Sequence, residues 1–223
     1  MVDKIVNNLP PWPSAPDPHP ENAIRERIIN GSFQPNEHLV EADLARVLGV
    51  GRSAIRTALA RLEQEGLVHH ERHRGSRVRL IEKREAVEIL EARAALEAMA
   101  ARHAAARADE HDIGVLREIL DVMRRELDRG DLIGASDENA QLHRRILLIS
   151  QHDTARRLIQ TLKSQLVRFQ YRTILIPGRA EESFAEHTAI VDAIAARDAD
   201  RAEQAMRTHL THVADALRND ASG

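Results

Sequence analysis

Apolar residues between Leu44 and Val68 recur at helical spacing in two phases, with a break at Gly49 to Gly51. Leu44, Val47 and Leu48 mark the inward face of a short first helix, and Gly49 stands where a chain leaves a helix without a β-carbon clash. Ser53 reads as the cap of a second helix, its hydroxyl accepting from the amide of residue 55 or 56. Ile55, Ala58, Leu59 and Leu62 then face inward, leaving Arg52, Arg56 and Arg61 outside. Two short helices around a tight turn predict a helix-turn-helix, whose second helix sets its N-terminal residues against base edges. Gly66-Leu67-Val68 closes that helix, and the stretch to Leu80 reads as two short strands around Arg74-Gly75, a wing.

From residue 82 the pattern becomes helical throughout, in segments of roughly 84–107, 110–129, 131–150, 152–175, 179–197 and 199–218. Breaks fall at Gly130-Asp131, Gln151-His152-Asp153, Pro177-Gly178 and Arg197-Asp198-Ala199-Asp200, the last offering an N-cap to the final helix. Six helices of these lengths predict an antiparallel bundle. Six prolines within residues 1–20 can neither continue a helix nor donate to a sheet, so that segment is expected to be a disordered arm. The expected organisation is an arm (1–20), a winged helix-turn-helix (21–81), an all-α bundle (82–218) and a short tail (219–223), in a mainly α chain.

Charge sharpens this division. Arg52 to Arg79 holds seven arginines and no lysine against three glutamates, within a chain of net charge −3. Residues from 82 onward carry 25 acids and 21 Lys or Arg, so the bundle is not a nucleic-acid surface. Arg72, Arg74, Arg77 and Arg79 form a basic ribbon suited to sugar and phosphate beside a groove. The chain has no cysteine, which excludes disulfides, thiol nucleophiles and thiolate metal sites and fits a reducing compartment. No apolar run approaches the roughly 20 residues of a membrane helix and the start lacks a signal peptide's pattern, so a soluble cytoplasmic protein is expected. With five aromatic residues in all, the bundle core must be aliphatic.

Residues 21–81 resemble the GntR-type bacterial regulators. The resemblance is carried by Ile28-Ile29-Asn30-Gly31, Gln34-Pro35-Asn36, Leu44-Ala45, Leu48-Gly49-Val50-Gly51-Arg52, Ile55-Arg56-Thr57-Ala58-Leu59, Leu62-Glu63-Gln64-Glu65-Gly66-Leu67-Val68 and Arg74-Gly75. Asn36 replaces the usual glycine, and asparagine tolerates the left-handed conformation that the third position of a type II turn needs. Gly51 and Ala54 replace the usual serine and proline, and Ala42 stands where some members have a basic residue. The resemblance implies an operator-binding protein whose DNA contacts are Arg52, Ser53 and Arg56 on the helix and Arg74, Gly75 and Ser76 at the wing.

In the bundle, Asn139 and His143 are four apart on one helix face, with His187 and His209 on the fifth and sixth helices. By spacing alone, such histidines read more readily as ordinary polar residues than as ligands. The second half, however, resembles the FCD ligand-binding domain of the FadR subfamily in its six-helix, VanR-like form. That family carries an aspartate or asparagine and a histidine at this spacing, then two histidines about 22 apart, all on a divalent metal. The resemblance therefore implies metal ligation by Asn139, His143, His187 and His209, with zinc or nickel suited to three imidazoles and an amide oxygen. His212, one turn beyond His209, is a fallback ligand. An organic acid is the implied effector, with Arg93 and Arg172 as effector-binding residues, and Arg168 and Tyr171 are further candidates for the same cavity. For Arg93, an ion pair with Glu97 is an equal alternative.

The expected function is a one-component transcription factor, a homodimeric repressor on a palindromic double-stranded operator, with no membrane association and no catalysis. A metalloenzyme on the bundle is the alternative, weakened because no Glu-x-x-His pair and no HExxH occurs.

Overall fold

The computed structural model describes residues 19–71, 74–166 and 173–220, and the chain divides into two compact units at Leu80/Ile81. The Pro-rich arm lies, but for His19 and Pro20, outside the described residues, as does the end of the tail. Among the described residues no helix is long and apolar enough to cross a membrane.

The first unit runs α1 (Pro20–Ile29), β1 (His38–Leu39), α2 (Glu41–Leu48), α3 (Arg52–Gln64), β2 (Val68–Glu71) and β3 (Gly75–Val78). Pro20 opens α1, where its missing N–H is no loss. The connection to β1 is a Gln34–Glu37 turn closed by Glu37 N–H on Gln34 O (3.0 Å), with Asn36 at φ 64° as the type II turn requires. α2 buries Leu44 and Leu48 and ends on Gly49 in the left-handed region, φ 67°. α3 buries Ile55, Ala58, Leu59 and Leu62, a stripe of spacing three, four and seven, against Ile24, Phe33, Leu39 and Leu67. The three strands are antiparallel in the order β1-β3-β2, with His38 opposite Arg77 and Val68 opposite Val78. The wing thus has a third strand, too short at two residues to show as an alternation.

Among the described residues the second unit has six helices: α4 (Lys83–Arg107), α5 (Glu110–Asp128), α6 (Leu132–Ile149), α7 (Asp153–Gln165), α8 (Arg179–Ala195) and α9 (Ala199–Asn219). Several starts are set by side-chain caps. Asp109 and Asp112 form a reciprocal capping box on α5, Asp131 accepts from Gly134 N–H (2.9 Å), and Asp198 accepts from Arg201 N–H (3.0 Å). The long α4 presents buried Ala94, Ala98, Ala101, Ala104 and Ala105, whose small side chains let α9 and α8 lie close along it. Leu116, Leu142, Ile146, Ile190, Ile194, Met206 and Leu210 complete an aliphatic core. At about 1.5–3 kcal/mol per fully buried aliphatic side chain, this burial is the chief force holding the bundle.

The fourth bundle helix is shorter than its periodicity predicts. It ends at Gln165, not near 175, because Leu166 N–H turns to Lys163 O (3.0 Å) and the Leu166 side chain sinks among Leu90, Val213 and Leu217. Residues 173–178 then form turns that lead into α8, and Thr173 and Ile174 line the cavity described next.

Candidate functional site

The surface of the first unit presents the arginine face. α3 starts two residues earlier than expected: Gly51 is its N-cap, with Gly51 O accepting from Ala54 N–H (3.0 Å). Ser53 is therefore a second-position residue with an exposed side chain, not the cap, and no side chain bonds the first amides of α3. Arg52 is exposed and makes no ion pair among the described residues. Arg56 donates from Nε to Glu41 Oε2 (2.8 Å) yet remains 67% exposed, so its terminal nitrogens stay available. Arg61 is tied to Glu21 of α1. At the wing tip Arg74 is 77% exposed, and its carbonyl accepts from His38 Nε2 (2.5 Å). Gly75 has φ 81° and a β-carbon there would lie 2.9 Å from His38 Nε2, so only glycine fits. Ser76 is buried, its Oγ 3.4 Å from His70 Nδ1, which removes it from the accessible face. Arg72 lies outside the described residues.

In the second unit, His143 from α6, His187 from α8 and His209 from α9 converge with their ligand nitrogens within 4.8 Å of one another, all buried. They line a cavity of about 130 Å³ together with Asn139, Arg93, Lys163, Arg179, Ser136 and Ser183. Among the described residues lining it, four side-chain atoms are buried without a partner: Asn139 Oδ1, His187 Nδ1, and Nε and Nη1 of Arg179. A buried amide oxygen with nothing to accept is costly, and a cation or a donor in the cavity removes that cost.

Carboxylates hold two of the imidazoles. His143 Nδ1 donates to Glu97 Oε2 (2.6 Å), and His209 Nδ1 donates to Glu186 Oε2 (2.7 Å). Each bond puts the proton on Nδ1 and leaves the Nε2 lone pair facing the centre, the arrangement that metal-ligating histidines adopt. His187 Nε2 lies 3.2 Å from His209 Nε2. Two nitrogens bound to one ion at about 2.0–2.1 Å stand about 2.9–3.4 Å apart for bond angles between octahedral and tetrahedral. The donor set, its tautomers and this spacing fit a divalent metal.

Burial pushes His143 down to about 4 against the opposing pull of Glu97, and it holds His187 well below the usual histidine range. These imidazoles are neutral at pH 7, as ligands must be. Burial would raise Glu97, but the charge of Arg93 and the His143 contact hold it well below the carboxylate range. Glu186 is brought to about 2, since bonds from His209, His212 and Arg179 outweigh its burial. Lys163 is lowered to about 8 by burial and stays mostly protonated at neutral pH.

Comparison with known proteins agrees in both units. Residues 21–78 match the family of bacterial regulatory proteins known as the gntR family, and residues 88–212 match the FCD domain. The chain belongs to the GntR family and carries an FCD domain. The regulator is 30% identical over 200 residues to the HTH-type transcriptional repressor GlaR of Escherichia coli (strain K12), covering 84% of this chain and 89% of that one. It is 26% identical over 204 residues to the HTH-type transcriptional regulator YdhC of Bacillus subtilis (strain 168), covering 89% of each. Among solved structures, E. coli McbR/YncC superposes with a TM-score of 0.72 at 21% identity, covering 89% of this chain and 95% of that one, and shares the fold. These relatives make the protein a DNA-binding transcriptional regulator, not an enzyme.

Of the regulator's expected site residues, Asn139, His143, His187, His209 and Arg93 are brought together on one cavity. Arg93 lines it and also pairs with Glu97 (2.7 Å), so the two alternatives for that residue coexist. His212 is not in the cluster. It is 53% exposed and donates from Nδ1 to Glu186 Oε1 (2.7 Å). Arg172, with Arg168 and Tyr171, lies outside the described residues. Sequence reasoning missed Glu97, Glu186, Lys163 and Arg179. A faint signal existed for Glu186, which directly precedes His187, but none showed that its carboxylate reaches across to α9.

Proposed function

We propose that this regulator is a repressor whose operator affinity is set by an organic acid bound at a divalent metal. The observation that carries the reading is the unpartnered Asn139 Oδ1 beside three converging imidazoles, two of them oriented by carboxylates, on one cavity. Asn139, His143, His187 and His209 would hold the metal, zinc or nickel by donor type. Such an ion supplies a Lewis-acidic position for a ligand carboxylate. Around it, Glu97 and Glu186 orient His143 and His209, and Arg93 and Lys163 face the cavity as cations. On the DNA side, Arg52 and Arg56 reach base edges from the start of α3, and Arg74 at the Gly75 tip reaches the backbone. A homodimer on a palindromic operator follows from two-fold symmetry. Ligand occupancy changes how α6, α8 and α9 pack, and the operator affinity responds to that population shift. A relative named a transcriptional repressor, GlaR, supports the direction of control.

Elemental analysis and native mass spectrometry of protein purified without chelator or histidine tag test this reading. A stoichiometric divalent metal, lost in His143→Ala with DNA binding retained, is expected. Metal content unchanged in that variant overturns the ligand set.

A further inference from the structure

We propose that the cavity contains a second anion-binding position centred on Arg179, and that the effector is a short dicarboxylic acid spanning from the histidine centre to that arginine. This rests on the reading of the histidine centre given above.

Arg179 is the first residue of α8 and is 5% exposed. Its Nη2 donates to Glu186 Oε2 (2.7 Å), the same oxygen that receives His209 Nδ1. Its Nε and Nη1 are buried and have no partner. Nη2 carries two hydrogens, one on each edge of the guanidinium fork. Whichever one Glu186 takes, the opposite edge, Nη1/Nη2 or Nε/Nη2, keeps two parallel donors, the pattern a carboxylate accepts in two-point fashion. Buried guanidinium N–H groups left empty are costly, so a site with such an edge is built for an anion. The α8 N-terminus adds to this. Gly178 offers no capping side chain, and Ala180 lines the same cavity.

Charge balance selects the ligand class. Arg93, Lys163 and Arg179 line the cavity, while Glu97 and Glu186 offset them from behind the imidazoles. Three cations against two carboxylates leave one positive charge, and a divalent metal raises that to three. A monocarboxylate would leave two of them uncompensated within walls that include Leu90, Met123, Leu127, Phe184 and Leu210, whereas a dianion leaves one. Size agrees: about 130 Å³ compares with about 10–15 Å³ for one water by the same measure, room for on the order of ten non-hydrogen atoms.

The test is calorimetric titration of the full-length, metal-loaded protein with matched pairs of acids: butyrate and succinate, valerate and glutarate, hexanoate and adipate. At least one diacid is expected to bind tenfold or more tightly than its monoacid. In Arg179→Gln that advantage falls to within about threefold; because Arg179 also supports Glu186 and through it His209, metal content is measured on the same protein and both affinities are taken per metal bound. Arg179→Lys, which keeps the charge but loses the fork, is expected to fall between the two and serves if the glutamine variant does not fold. Equal binding of diacid and monoacid, no binding of any acid, or an equal loss for both acids in the Arg179 variants overturns the subsite and leaves the metal reading standing. If the purified protein takes up no metal, the metal reading fails instead. The same titrations on that protein then decide the subsite by whether a diacid preference depends on Arg179.

Discussion

In the first unit the proposed working residues stand in water, with Arg56 67% and Arg74 77% exposed, whereas in the second His143, His187 and His209 are 3%, 1% and 2% exposed. An exposed arginine carries its charge at little cost and acts almost alone. A buried imidazole is costly to leave unpaired, so two of the three here end chains of obligations: Arg93 to Glu97 to His143, and Arg179 to Glu186 to His209. The reader can therefore change a contact without loss of fold, while every change at the sensor is also a change in stability.

Substituting a link in the buried chain is the strongest way to break this contrast. Glu97→Ala strands the Arg93 guanidinium and the His143 Nδ1 proton and is expected to destabilise the second unit by about 3–5 kcal/mol. Denaturant unfolding followed separately in the two units should show the first unit's transition unmoved. A loss below 1 kcal/mol would mean the chain of partners is not obligatory.

Metal removal probes the same side. If the histidine centre holds a metal at a hundredfold excess over its Kd, a chelator lowers the stability of the second unit by about 2.7 kcal/mol. Calorimetry with and without chelator reads this, and coincident scans would sink the prediction. On the reader side, Arg52→Ala and Arg56→Ala should each cost about 1–3 kcal/mol in operator affinity with an unchanged unfolding midpoint. A variant that instead unfolds early would show that the exposed arginines are structural after all.

The smallest effect concerns helix starts. Val40 is the N-cap of α2 and makes no capping bond, with its side chain 40% exposed and its backbone extended. Val40→Ser should stabilise the first unit by about 1 kcal/mol, while Gly51→Ser at the cap of α3 should add only a few tenths, since glycine already suits that position. Equal shifts from the two, read as unfolding midpoints, would contradict this ranking.

The helix-turn-helix was legible because its signals are local: the Ile55, Ala58, Leu59, Leu62 stripe, the Gly49 exit and the Asn36 turn each act within one helix or one turn. The differences between expectation and structure are local too. A hydroxyl is the usual cap signal and favours Ser53, yet the extended Gly51 starts the helix with its carbonyl alone. Ser76 looked like an accessible wing residue until pairing with β2 turned it inward, opposite His70. Thr173 to Ile176 continue an apolar pattern that a helix or a turn serves equally well, so periodicity does not mark where the fourth bundle helix ends.

The sequence by itself determined the order of helices, the basic face and, through family resemblance, which four residues, Asn139, His143, His187 and His209, to look for together on one cavity. Only the tertiary structure decided which carboxylate holds which imidazole, that His212 turns to Glu186, and that Arg179 lines the cavity with two of its guanidinium nitrogens unpartnered. Periodicity reports which face of a helix is buried. It says nothing of which two faces meet, and the partners of this buried centre come from α4, α6, α8 and α9, joined only by packing.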